Sequence, residues 1–121
     1  MVTRSKRFGA IAGVAATKTL ITGSPWTLPS GTRKLSALVV GVEGETITEG
    51  LSGFITIEID TVNGPFEFVL PFNTNYAVAT GAAHGGCRIP LDIPIPGAGV
   101  LNLYATMTDT VDVINASIEF E

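Results

Sequence analysis

Cysteine and histidine occur once each in this 121-residue chain, as Cys87 and His84. A lone cysteine excludes an intrachain disulfide framework and any zinc site built on several cysteines. A lone histidine excludes metal sites that need several histidines from one chain, and it leaves a Ser-His-Asp triad a single candidate base. Charge is also scarce: 15% of residues are charged, against about 25% in ordinary soluble domains. A surface so poor in charge points to self-association, because apolar area that is not solvated has to be covered. No apolar run reaches the roughly 20 residues that a membrane-spanning helix needs. No segment of useful length repeats with a helical period, and no glycine-rich phosphate cradle is present.

What remains is apolar material, glycine and proline. Hydrophobic residues make up 45% of the chain, beside 14 glycines and 7 prolines, enough for one core in one domain with frequent turns. The net charge of −4 hides a division. Residues 1–34 carry Arg4, Lys6, Arg7, Lys18, Arg33 and Lys34 and no acid, whereas residues 35–121 hold all 11 acids and only Arg88 as a base. A basic start on an acidic body can meet the acidic body of another copy, a nucleic acid or an anionic membrane. Three bases in the first seven residues are too few to mark a nucleic-acid binder by themselves. They precede the apolar stretch Phe8 to Ala16, which imitates a secretory signal, although nine residues broken by glycine make a poor one.

From Thr17 onward the pattern is strand and turn. Thr17 to Thr22 is β-rich, and Pro- and Gly-containing turns then bracket Trp26. Lys34 to Val42 is almost continuously apolar, as expected for a strand buried on both faces or at a subunit contact, which marks Leu38 and Val40, with Trp26, as candidate interface residues. Phe54 to Asp60 alternates, with Ile55, Ile57 and Ile59 on one face and Thr56, Glu58 and Asp60 on the other. The turn Thr61-Val62-Asn63-Gly64 predicts a hairpin returning through Phe66, Phe68 and Leu70. Further strands are expected over Tyr76 to Thr80, Cys87 to Ile93, Val100 to Met107 and Val111 to Phe120, with a flexible loop over Gly81 to Gly86. Pro90 confines its strand to an edge or a bulge. The expected fold is therefore all-β: an antiparallel β-sandwich of about eight strands, jelly-roll-like, over residues 17–121, preceded by a basic N-terminal arm over residues 1–16, with Phe8 to Ala16 either helical or extended.

Few side chains in the sequence are candidates for chemistry. His84 could lower the pKa of Cys87, but three residues apart in a glycine-rich segment is no signature of a catalytic dyad. The carboxylate pair Glu58 and Asp60 shares one strand face, and exposed strand polarity explains it without a metal. Asn115-Ala116-Ser117 fits a glycosylation sequon, a short pattern common by chance. No catalytic, cofactor-binding or metal site is expected, and no small-molecule substrate.

A short basic arm, a Gly/Ser/Pro-broken lead-in and about eight strands resemble the small single-jelly-roll capsid proteins of viruses, in architecture over residues 17–121. The resemblance implies a virion protein whose sandwich forms the shell wall and whose arm threads between neighbours or faces the particle interior. Arg4, Lys6 and Arg7, with Lys18, would then be the assembly or interior contacts. Implied partners are copies of the chain and other shell proteins, with nucleic acid or membrane as further partners of the arm. This arm is shorter and less basic than genome-condensing ones, which favours neighbouring subunits or a membrane. A detached arm also implies that residues 1–16 can be removed without unfolding the sandwich. The alternative reading is a ligand-binding β-sandwich, of the carbohydrate-recognition or adhesion kind.

Overall fold

The computed structural model describes residues 3–13, 16–44, 52–62, 64–73, 83–95, 99–107 and 111–121. Among them lie nine strands and no helix: β1 (Arg4–Gly13), β2 (Thr19–Leu20), β3 (Trp26–Thr27), β4 (Lys34–Gly44), β5 (Ser52–Thr61), β6 (Gly64–Asn73), β7 (Ala83–Pro94), β8 (Gly99–Met107) and β9 (Val111–Phe120). The strands form two sheets. The first has the order β1-β9-β4-β7; the second has the order β2-β8-β5-β6, with β3 also paired to β8. Every strand pairing is antiparallel.

Because β2 and β3 both line β8, they act as one interrupted strand. Counted so, eight strands alternate between the sheets in the order of a jelly roll. Only β5 and β6 are neighbours both in sequence and in a sheet; every other connection crosses from one sheet to the other. The sandwich therefore has two sides. Edges β1 and β2 lie together, since the Gly9 amide donates to the Thr22 carbonyl at 2.7 Å. Edges β6 and β7 lie together on the other side, where Phe66 and Phe68 share a cavity with Ile93 and Ile95.

Strand alternation builds the core. Leu38, Val40 and Val42 on β4 and Ile114, Ala116 and Ile118 on β9 face Ile55, Ile57 and Ile59 on β5 and Leu101, Leu103 and Ala105 on β8, all buried. Trp26 is half-buried and closes the β1 side, with its ring 6.0 Å from Phe8 and 5.1 Å from Phe120, both edge-on. Edge-on aromatic pairs of this kind add about 0.5–1.5 kcal/mol beyond their burial. Close backbone approach fixes Gly53: a Cβ there would strike the Thr106 carbonyl oxygen and the Met107 Sδ across β8.

The hairpin is found in the expected register, from Ile55↔Leu70 through Ile57↔Phe68 to Thr61↔Gly64. Gly64 takes a φ of 111°, a conformation open to glycine and costly for other residues. Pro90 lies on the edge strand β7, near a register shift between Leu35 and Ala37 on β4.

Other expectations are corrected. The segment expected as a detached arm is largely strand β1, paired to β9 from Arg4↔Phe120 to Gly13↔Val111, with Phe8 fully buried. Its small residues conceal this, because two register shifts, at Phe8/Ile11 and Ile11/Gly13, break the alternation. Ala83 to Gly86, expected in a loop, begin β7. Leu38 and Val40, marked as interface residues, point into the core with at most 1% exposure, so no partner reaches them while the sandwich is folded. The apolar run is continuous because β4 is the inner strand between β9 and β7 and carries small residues on its outer face. The strand expected over Tyr76 to Thr80 lies outside the described residues.

Phe8→Ala should cost about 3–5 kcal/mol, read as a lowered urea midpoint with an unchanged slope. Removing residues 1–13 should abolish the cooperative transition, since β9 would lose its outer neighbour. A truncated chain that unfolds cooperatively at the wild-type midpoint would show that β1 contributes nothing to the core.

Candidate assembly surface

Three of the basic residues marked from sequence lie on β1. Arg4 and Lys6 share a face with Phe8 and are held by aromatic rings, the Arg4 guanidinium 4.9 Å from the Phe120 centroid and the Lys6 ammonium 5.7 Å from that of Phe8. Arg7 is exposed. Lys18 sits just before β2, its ammonium 4.4 Å from the Tyr104 ring centroid. Stacking on a ring costs a cation little hydration and is worth about 0.5–1 kcal/mol at an exposed site. Among the described residues, none of these four bases forms an ion pair with an acid. Other bases are matched locally: Lys34 lies 3.2 Å from Glu121 and 3.8 Å from Asp92, and Arg88 lies 2.9 Å from Glu119.

The opposite side is acidic. Glu58 on β5 stands directly across from Glu67 on β6, and Asp60 follows Glu58 on the same outward face. Like charges placed directly opposite in a sheet repel. Among the described residues no base forms an ion pair with any of the three.

These acids belong to the outer face of the second sheet, which also carries apolar residues. Its register aligns Leu20, Tyr104, Thr56 and Val69 in one row across β2, β8, β5 and β6, with Phe54 and Pro71 in the adjoining row. Leu20, Phe54 and Val69 are 43%, 40% and 52% exposed. Thr56, in the middle of the row, is nonetheless buried. The outer face of the first sheet is smoother: Val39 is its exposed apolar residue, and Asn115 lies over Gly41, where a Cβ would stand 2.7 Å from the Asn115 Oδ1.

The β6–β7 side also holds a cavity of about 290 Å³, lined by Ile59, Thr61, Phe66, Phe68, Ile93, Pro94 and Ile95. Its one polar side chain, Thr61, already donates to the Gly64 carbonyl at 3.1 Å.

Cys87 is half-buried on β7, where burial raises its thiol pKa above the ordinary value. His84 belongs to the same strand, where its backbone is paired with Glu43 of β4. Among the described residues, no group of three or more His, Cys, Asp or Glu side chains is placed to hold a metal ion.

The basic residues were found from sequence, but the apolar row was not. Its signal was parity: Phe54 shares the face of Thr56, Glu58 and Asp60, and Val69 shares that of Glu67. Trp26, marked as an interface residue, packs instead between Phe8 and Phe120. The chain matches no protein-family model and no curated protein sequence.

Alkylation of Cys87 by iodoacetamide should be slower in the folded chain than in urea, and its rate should rise with pH along a curve displaced to higher pH. A folded-state curve at or below that of the urea-unfolded chain would indicate an activated thiolate and a reactive role.

Proposed function

We propose that the chain is a structural, self-assembling shell subunit of the viral capsid type, in which the jelly roll forms the wall. The observation that carries this reading is the exposed apolar row on the outer face of the second sheet, on a chain with little charge anywhere. An isolated monomer gains nothing from exposing Leu20, Phe54 and Val69 on one sheet face, whereas a subunit that buries them against a neighbour does. The fold agrees, since jelly rolls build viral shells, but they also build lectins and cupins, so fold alone does not decide. With β1 held in the sheet, its bases are at the side of the wall, facing neighbouring subunits. On this reading the chain resides in the virion and its partners are copies of itself, with other shell proteins.

Light scattering on the purified chain tests the reading. The expected result is particles far above the 12.6 kDa monomer, reduced to small species by the double change Phe54→Ser and Val69→Lys with an unaltered circular dichroism spectrum. A monomer at every accessible concentration overturns it.

The cavity beside Phe66 and Ile93 favours a second reading, an apolar ligand-binding module. Among the described residues its walls offer one polar side chain, Thr61, where carbohydrate recognition needs several placed polar groups. Saturable one-to-one binding of an apolar fluorescent probe by a monomeric chain would support that reading, and absence of saturable binding would remove it.

A further inference from the structure

We infer that neighbouring copies join head to tail, with the basic β1 side of one copy set against the acidic β5–β6 side of the next. The inference rests on the shell reading and names the contact within it. Arg4, Lys6 and Arg7 lie along the edge strand β1 of the first sheet; Glu58, Asp60 and Glu67 lie on the outer face of β5 and β6, at the far end of the second sheet. Among the described residues neither group is neutralised by an ion pair within its own chain. Lys34, with Arg33 beside it, is balanced locally by Asp92 and Glu121 and leaves the two groups facing outward.

The first sheet begins with β1 and the second ends with β5 and β6, so the two groups are separated by the width of the sandwich and one contact between copies can bring the β1 edge of one against the β5–β6 surface of the next. The alternative, a two-fold contact between like sides, would oppose bases with bases or acids with acids. Continuous strand addition is also disfavoured on the acidic side. Pro65 and Pro71 on β6, and Pro90 and Pro94 on β7, remove backbone donors from both edges there. The contact is thus made by side chains, and Leu20 and Val69, at the two ends of the apolar row, add apolar area beside the charges. Each copy offers one basic and one acidic side, so the contact repeats, closing into rings or extending across a shell according to the angle between copies.

Charge exchange tests this. Reversing Arg4, Lys6 and Arg7 to Glu gives a chain acidic on both sides, and reversing Glu58, Asp60 and Glu67 to Lys gives one basic on both. Each alone should need about tenfold to hundredfold more protein than wild type to assemble, and an equimolar mixture should recover wild-type assembly. High salt should mimic the reversals, because about 1 M salt shortens the screening length to ~3 Å. If either triple variant fails to fold, the single changes Arg7→Glu and Glu67→Lys at exposed positions serve in its place. Assembly that is indifferent to both reversals, or a mixture that recovers nothing, overturns the head-to-tail contact while leaving the shell reading in place. A wild-type chain that stays monomeric in all salts overturns both.

Discussion

Two β-sheets stay together only if each presents an apolar face to the other, and in this chain that face is written in alternation along four strands, broken once on β4 by the shift between Leu35 and Ala37. Leu38 and Val40 on β4, Ile118 on β9, Ile57 on β5 and Leu103 on β8 meet at the centre of the sandwich, each essentially free of solvent. All else depends on this layer. It fixes which residues of β5 and β6 point outward, and so it aligns Glu58 with Glu67 and sets Phe54 and Val69 on the solvent face. A shift of one residue in any of these strands would exchange the two faces, bury the acids and expose the isoleucines. The register that secures the core therefore also creates the surface on which assembly is argued.

The parts legible in the sequence were those where local rules and tertiary demands agree. β5 and β6 alternate cleanly and are joined by a turn suited to a tight hairpin, so the hairpin and the faces of its two strands could be read from the residues. β4 was visible as a strand, but its continuous apolar run left its role open: Val39 reads as a core residue in sequence and is exposed on the outer face, whereas Ala37 beside the register shift is buried. β1 was missed because its glycines and alanines carry no period and its two register shifts blur what alternation exists. The strand is made by β9, whose free edge it covers, and no local signal encodes a partner more than a hundred residues away. The bases were plain in composition, but their separation from the acids across the width of the sandwich comes only from the order of strands.

The same topology places both Cys87 and His84 on the edge strand β7. The chain's polar resources lie at its sides. Prolines guard β6 and β7 against continued strand pairing, cations rest on aromatic rings along β1 and beside β8, and the charged groups are left to face outward. This distribution suits a molecule whose neighbours matter more than any bound substrate.

One consequence follows from the position of β9. It is the last strand of the sandwich to be synthesised, yet it sits between β1 and β4 in the first sheet. Until it emerges from the ribosome, β1 has no partner strand and the inner layer lacks Ile114, Ile118 and Phe120. Pairing across such separations is slow, because loop closure costs entropy before any contact repays it. A nascent chain therefore cannot present its basic and acidic sides in their final arrangement. The order of strands acts as a timer that keeps the first sheet unassembled until β9 has emerged.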